Sequence, residues 1–182
     1  MMSREEAFAL LKKHLQTKNL MKHCLAVEGA MSALARELNG DEKRWALAGL
    51  LHDIDYDKTM DHPERHGFEG EEILRREADV DEEVIYAIKA HPGALPRKSL
   101  MDKALYASDP LTGLIVAAAL LHPEKKLSAL DTDFVLRRFY EKSFARGAHR
   151  DVIQSCESFM PLEKFIAVVL GGMKEISSEL GL

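Results

Sequence analysis

The sequence predicts an all-α protein, and three observations lead to that fold class. Apolar residues recur at helical spacing along most of the chain, as Phe8, Leu11 and Leu15 do near the N-terminus. Capping residues and helix stops separate these stretches, and alternating strand patterns do not recur. A chain of 182 residues also suits one domain that needs no disulfides. We expect a compact bundle of about eight to ten helices.

The predicted helices follow one another with a cap or a stop between them. Their expected ranges are 4–16, 19–38, 42–54, 63–78, 82–91, 100–121, 131–145, 149–158 and 161–179. Four polar residues are predicted N-caps, namely Ser3, Asp41, Asp81 and Ser99. Residues 55–65 lack apolar periodicity and are expected to form a loop. Pro63 is expected to open the next helix, and Pro110 to bend or break the long one.

The organisation is expected to be simple. Repeats, low-complexity tracts and Gly/Ser linkers are absent from the sequence. We expect one domain over residues 1–182, in which C-terminal helices at 128–180 pack on a core formed by 19–121.

Composition excludes several classes of protein. The 25 basic and 30 acidic residues give a net charge of -5 with the signs interspersed, which argues against binding a nucleic acid polymer. Cys24 and Cys156 have no CxxC spacing, so neither a disulfide framework nor a thiolate zinc site is indicated. The N-terminus is charged from the start, and the longest apolar run, 111–121, is too short to span a bilayer. The expected setting is the cytoplasm, away from membranes.

Histidines and aspartates stand where a solvated helix face would not need them. In "LAGLLHDIDYDK" a buried stretch ends at His52 and Asp53, and His23 lies among apolar residues in the second helix. A carboxylate beside an inward histidine is costly to bury unless a cation or hydrogen bonds offset its desolvation. The pair could therefore bind metal, or Asp53 could belong to a helix-terminal turn.

Three more ligand-type residues lie at or near helix boundaries. They are His66 in "RHGFEGEEIL", His91 in "AIKAHPG" and Asp109 in "ALYASDPLTG". Asp109 could alternatively accept hydrogen bonds from amides freed by Pro110. Imidazoles and carboxylates without thiolates suit iron, manganese or zinc, and the set is large enough for two ions that share one carboxylate.

The ordered set resembles the HD-domain superfamily of metal-dependent phosphohydrolases, and in particular its small single-domain HDIG-type hydrolases. The resemblance rests on His23, the His52-Asp53 doublet, His66, His91 and Asp109, with "EKSFARGAHR" echoing the tails of relatives. It implies a compact helical HD-domain bundle. It also implies that His23, His52, Asp53 and Asp109 hold one metal and that Asp53 bridges to a second, completed by His66 and His91.

Other residues are expected to assist the reaction. Lys58 and Arg97, in loops beside the ligands, are candidate contacts to a substrate phosphate, and Asp57 is a candidate proton donor to the leaving oxygen. Asp55 stands where the family usually has glycine, a difference that we expect to be harmless to ligation. His62 is expected to be a loop residue, because Pro63 removes it from the helix.

The expected function is hydrolysis of a nucleotide or other small phosphate ester or anhydride by a metal-activated hydroxide. Two divalent ions are expected, with iron or manganese favoured and zinc, magnesium or nickel possible. A di-iron oxygenase and a non-catalytic metal- or nucleotide-binding sensor stay open as alternatives. The expected partner is a small phosphorylated substrate, and the apolar C-terminal helix could serve the core or a homodimer interface.

Overall fold

The computed structural model describes all 182 residues and contains α-helices, 3₁₀ turns and loops, but no strand. The α-helices are α1 (Arg4–His14), α2 (Lys18–Glu37), α3 (Glu42–Leu51), α4 (Tyr56–Thr59), α5 (Phe68–Glu77), α6 (Glu82–Ala90), α7 (Leu100–Leu121), α8 (Thr132–Tyr140), α9 (Arg150–Gln154), α10 (Leu162–Glu175) and α11 (Ser177–Leu180). The 3₁₀ turns are Pro63–Arg65, Leu127–Ala129 and Ser155–Ser158. The predicted all-α fold class is confirmed.

The predicted N-caps are present. Ser3, Asp41, Asp81 and Ser99 each accept a hydrogen bond from the backbone N–H three residues later. At Ser3 and Ser99 an acidic side chain in the first turn also bonds back to the cap residue, which completes a capping box. Because a cap satisfies N–H groups that the helix itself cannot, these four residues fix where α1, α3, α6 and α7 begin.

The core is continuous from α1 to α11. It holds 48 buried apolar residues that run from Ala7 to Leu180, so the C-terminal helices share one core with the helices that carry the ligand-type residues. Helix α2 packs on α3, α7 and α10. The apolar face of α10 lies against this core, where Phe165, Ile166 and Val169 are fully buried.

Helix α7 is the longest in the bundle. By length and composition it could cross a membrane, because the apolar run 111–121 continues a helix that starts at Leu100. In the fold it is a core helix. Twelve of its 22 residues are buried, among them the polar Asp102, Ser108 and Thr112.

Two glycines allow α2 and α10 to cross closely. A Cβ added at Gly172 would lie 2.3 Å from the carbonyl oxygen of Gly29, and one added at Gly29 would lie 2.8 Å from that of Gly172. Since neither distance is compatible with a real side chain, the crossing requires glycine at both positions. It sets the place of α2, which carries His23.

Pro63 does not open the predicted helix, and Pro110 does not break the long one. Pro63 opens only a 3₁₀ turn, and α5 begins at Phe68 after Gly67, whose φ is 84°. Pro110 lies within a continuous α7. It removes one hydrogen bond to the helix ladder, but buried residues on both sides, such as Leu105 and Leu111, hold the helix together.

Other helix boundaries also differ from prediction. The third helix ends at Leu51 instead of 54, and the predicted 55–65 loop contains the single turn α4. The predicted helix at 131–145 stops at Tyr140, after which residues 141–149 form turns. This segment closes one side of the cavity described below.

Candidate metal centre

The six predicted ligands come from five parts of the bundle and meet at one place. His23 is on α2, His52 and Asp53 follow α3, His66 precedes α5, His91 follows α6 and Asp109 is on α7. Four of the residues follow a helix end or precede a helix start, where the backbone turns. This is why His52 and Asp53, though adjacent, can face the same point.

One group of atoms surrounds His23. Its Nε2 lies 2.9 Å from Asp109 Oδ1, 3.2 Å from His52 Nε2 and 3.7 Å from Asp53 Oδ2. His52 Nε2 is itself 3.3 Å from Asp53 Oδ2 and 3.8 Å from Asp109 Oδ1. These four side chains form cluster A.

A second group, cluster B, uses the other oxygen of Asp53. Asp53 Oδ1 lies 3.2 Å from His66 Nε2 and 3.4 Å from His91 Nε2. The two imidazole nitrogens are 3.1 Å apart. The carboxylate of Asp53 therefore faces one cluster with each oxygen, as a bridging ligand between two metals would.

The protein fixes which nitrogen of each imidazole faces the clusters. Nδ1 of His52 lies 2.8 Å from the carbonyl oxygen of Gly49, and Nδ1 of His91 lies 2.5 Å from that of Ile88. A carbonyl oxygen only accepts hydrogen bonds, so Nδ1 carries the hydrogen in both residues. In the neutral ring the lone pair is then on Nε2.

The remaining two imidazoles are held in the same way. His66 Nδ1 donates to Asp55 Oδ1 at 2.8 Å. His23 Nδ1 lies 3.5 Å from the hydroxyl of Thr112, whose own hydrogen goes to the carbonyl of Asp109 at 2.8 Å. That hydroxyl can therefore only accept from His23. All four rings direct Nε2 towards the clusters, an arrangement typical of metal-binding histidines.

The donor atoms fit divalent metal ions. With metal–ligand bonds of about 2.1 Å, neighbouring donors lie about 3.0 Å apart in an octahedron and about 3.4 Å apart in a tetrahedron. The distances in both clusters, 2.9–3.8 Å, span these values. Imidazole lone pairs that face each other at 3.1–3.2 Å repel without a cation between them, so the site is shaped for cations.

In the absence of metal, protons bound to the imidazoles partly offset this repulsion. Burial lowers the pKa of His52, but the charge of Asp53 and a hydrogen bond to it outweigh this and raise the pKa to about 9. Burial likewise lowers the pKa of His66, while hydrogen bonds to Asp53 and Asp55 raise it to about 10. Burial raises the pKa of Asp53, and the nearby imidazoles shift it well below its usual range.

Cys24 lies close to cluster A, with its sulfur within 4.8 Å of donor atoms of His52 and Asp53. Burial and the charge of Asp53 raise the pKa of this thiol well above its ordinary value. A metal-binding cysteine needs its thiolate form, so the imidazoles and carboxylates are the better donors.

Asp55 is a functional residue that sequence analysis missed. Its side chain is fully buried and accepts hydrogen bonds of 2.8 Å from His66 Nδ1, Gly67 N–H and Gly70 N–H. It therefore orients a cluster B ligand and satisfies backbone N–H groups at the start of α5. The hydrogen bond to His66 goes beyond the expectation that this difference from the family pattern is harmless to ligation, because it positions a predicted ligand. The missed signal is an aspartate at the end of a buried stretch, eleven residues before a histidine.

Asp57 does not fit the predicted role of proton donor. Its carboxylate accepts from the backbone N–H groups of Gln16 and Thr17 and from the Thr17 hydroxyl, and so anchors the turn between α1 and α2. Burial raises the pKa of Asp57, but these hydrogen bonds prevail and lower it. An acid with a lowered pKa is a poor donor near neutral pH.

Neither of the two predicted phosphate contacts lines the cavity above the clusters. Lys58 is exposed and does not line the cavity above the clusters. The guanidinium of Arg97 stacks 4.1 Å from the ring centre of Tyr106 and donates to the carbonyls of Gly93 and Leu95. Tyr106 lines that cavity and Arg97 does not, because Arg97 lies against the side of the ring in a neighbouring pocket.

The cavity has a volume of about 660 Å³. Five of the six predicted ligands line it, and His52 is buried beneath them. Tyr56 and Tyr106 add aromatic surface, and Gly147, His149 and Val152 come from the segment after α8. Of these three, His149 is a polar group that no sequence motif indicated. A space of this size can take a small-molecule substrate.

Arg150 holds that segment in shape. Its partly buried guanidinium donates to the backbone carbonyls of Arg138, Phe139, Glu141, Phe144, Ala145 and Ala148. Because the partners are carbonyls instead of carboxylates, burial lowers the pKa of Arg150. One side chain thus determines the path of residues 138–148, which lead directly to His149.

Fold and site together define an all-α bundle with a histidine–aspartate centre that could hold divalent metal. Comparison with known proteins identifies the family, because the HD domain family model matches residues 20–120 of the chain. The chain belongs to the HD-domain family. The resemblance predicted from the motifs is confirmed.

Curated relatives include two kinds of protein. The chain is 33% identical over 140 residues to ribonuclease Y of Desulfotalea psychrophila, a match covering 74% of this chain and 26% of the relative. It is 31% identical over 128 residues to the symmetrical bis(5'-nucleosyl)-tetraphosphatase of Bacillus subtilis, covering 59% of this chain and 68% of that protein. The chain thus spans about a quarter of the ribonuclease Y length. No solved structure matches it significantly.

Proposed function

We propose that this protein hydrolyses a phosphate anhydride or ester of a nucleotide at a centre that holds two divalent metal ions. The observation that carries the proposal is the placement of Asp53, whose two oxygens face two separate imidazole clusters. His23, His52, Asp53 and Asp109 would hold one ion, and Asp53, His66 and His91 the other. Iron or manganese is favoured, and zinc, magnesium and nickel are the others to test.

Bound at these positions, the ions supply Lewis-acid polarisation of a phosphoryl oxygen and lower the pKa of water for attack. The protein contributes the rest. Carbonyls and carboxylates that bind Nδ1 keep the imidazole lone pairs aligned, so that little rearrangement is needed during the reaction. His52 and His91 are buried, which keeps bulk solvent from the inner side of the site.

His149 replaces Asp57 in our proposal as the proton donor to the leaving oxygen. It lines the cavity and belongs to neither cluster. If so, His149→Gln will lower kcat and remove the fall of kcat on the basic side of its pH profile, because a proton donor is active only while it is protonated, and metal content will stay at the wild-type level. An unchanged pH profile would exclude this role.

The nucleotide substrate is supported by the symmetrical bis(5'-nucleosyl)-tetraphosphatase relative, of which the chain covers more than two thirds. Two free, buried cysteines fit the reducing cytoplasm, where we expect the protein to act. The ribonuclease Y relatives favour a second candidate, hydrolysis of a ribonucleotide polymer. The net charge of -5 argues against it, because polymer binding relies on neutralising phosphates.

One set of assays separates these possibilities. Metal-loaded protein is incubated without oxygen with diadenosine tetraphosphate and, separately, with a short ribonucleotide oligomer. We expect product only from the dinucleotide, and none with Asp53→Ala. The control Asp61→Ala changes an exposed aspartate near the site and keeps activity. Oxygen consumption with no anaerobic product would indicate an oxygenase, and metal binding without either activity a sensor. The homodimer stays a prediction for light scattering to test.

A further inference from the structure

A second pocket adjoins the metal cavity on the far side of Tyr106. It has a volume of about 580 Å³ and lies between the loop before α7, the start of α7 and the 3₁₀ turn after α9. Tyr106 is common to the linings of both cavities. Its ring is fixed between Gly93, where an added Cβ would lie 3.3 Å from Cε2, and the guanidinium of Arg97.

This pocket is lined by positively charged and neutral side chains. Its lining contains two cations, Arg97 and Lys103, and no carboxylate. Most arginines of this acidic protein pair with carboxylates, but neither of these two residues forms such a pair. Asp102, next to Lys103 in the sequence, is fully used in capping α7 through Lys98 N–H and Ser99.

The other lining groups are polar and neutral. Gln154, Ser155 and Ser158 come from the C-terminal part of the chain, outside the residues that the family model matches. The Ser155 hydroxyl donates to the carbonyl of Val152, and the Ser158 hydroxyl donates to that of Ser155. Gln154 donates to Glu157, which lies outside the lining. The positive charge of the pocket therefore comes from Arg97 and Lys103.

We propose that this pocket binds the non-scissile part of a phosphate chain, so that the substrate is an extended polyphosphate and not a simple monoester. The inference rests on the proposed function for the group at the metal centre. A phosphate at the clusters and another near Arg97 and Lys103 would bracket Tyr106. The two cations would neutralise the negative charge of the additional phosphates in a polyphosphate, which a monoester lacks.

Lys103→Met tests the pocket directly, because Lys103 is partly exposed and lies in neither cluster. The control is Lys43→Met, an exposed lysine on α3 that lines a different cavity with Glu28 and Glu42. Binding of inorganic tripolyphosphate to metal-loaded, full-length protein is measured by calorimetry. We expect Lys103→Met to weaken binding about tenfold and Lys43→Met to leave it within about twofold. Equal binding by wild type and Lys103→Met, or no binding by wild type, overturns the proposal.

Kinetics separate this inference from the proposed function. For diadenosine tetraphosphate, Lys103→Met should raise KM about tenfold with little change in kcat, and it should leave p-nitrophenyl phosphate hydrolysis unchanged. Absence of hydrolysis by the wild type would refute the proposed function, while the tripolyphosphate comparison still decides the pocket. Normal wild-type hydrolysis with no effect of Lys103→Met on tripolyphosphate binding or KM would refute the pocket alone.

Discussion

Replacing Asp55 by asparagine will disable cluster B without removing any of its ligands. Oδ2 of Asp55 accepts from the two N–H groups of Gly67 and Gly70, whereas Oδ1 accepts from His66 Nδ1. The asparagine oxygen is expected to stay with the two backbone N–H groups, since the opposite orientation would break two bonds to keep one. The amide NH₂ then faces Nδ1 of His66.

That change reverses the tautomer of His66. Facing a donor, Nδ1 becomes an acceptor, so the hydrogen of the neutral ring moves to Nε2, the atom that lies 3.2 Å from Asp53. A protonated Nε2 cannot bind metal. Loss of such an outer partner costs metal affinity about 10- to 100-fold, or about 1.4–2.7 kcal/mol.

The assay is the number of metal ions bound per chain at a series of buffered free-metal concentrations. We expect the weaker-binding ion to move by one to two decades in Asp55→Asn. The matched control is Asp57→Asn, the same change two residues away, where the carboxylate binds only the α1–α2 turn. If Asp55→Asn binds both ions as tightly as this control, the tautomer argument is wrong.

Further predictions concern the metals and the scaffold. His66→Ala will retain one ion and Asp53→Ala will retain none, because Asp53 belongs to both clusters. Elemental analysis measures the metal content, and equal content in the two variants would contradict this prediction. Metal affinity will fall as the pH falls below about 9. The reason is that the pKa is about 9 for His52 and about 10 for His66 without metal, so protons must leave these imidazoles before metal binds. Chelator competition between pH 6 and 9 measures the affinity, and an affinity that does not change with pH would exclude proton displacement. Arg150→Met will lower the free energy of unfolding by about 2 kcal/mol, because several partly buried carbonyls lose their hydrogen-bond donor. Urea titration against Arg146→Met, an exposed neighbour in the same segment, measures the effect. Equal stability of the two variants would show that the carbonyls do not depend on Arg150. Gly172→Ala will cost about 2 kcal/mol or more, since its Cβ would overlap the Gly29 carbonyl, whereas Gly171→Ala, with open space around it, serves as the control.

The sequence was a good guide where structure depends on near neighbours. The caps at Ser3, Asp41, Asp81 and Ser99 involve atoms three residues away, and the pattern contains everything needed to predict them. The ordered histidines and aspartates likewise predicted a set of side chains that the structure brings together.

It was a poor guide where distant contacts decide. The start of α5 depends on Gly67 and on its bond to Asp55, twelve residues earlier. The continuity of α7 through Pro110 depends on packing along its whole length. Asp57 and Arg97 carry suitable chemical groups, but their partners, Thr17 and Tyr106, divert them from the clusters. Sequence spacing contains no information on these partners.

The wall of the cavity has consequences for how this protein can change. The ligands lie within residues 20–120, but Gly147, His149 and Val152 belong to a segment that Arg150 keeps folded independently of the ions. Substitutions in that wall can alter which compounds are accepted while the reactive centre stays intact. Homologues with the same six ligands can therefore diverge in selectivity, and swapping residues 141–149 between them is a direct route to re-engineering it.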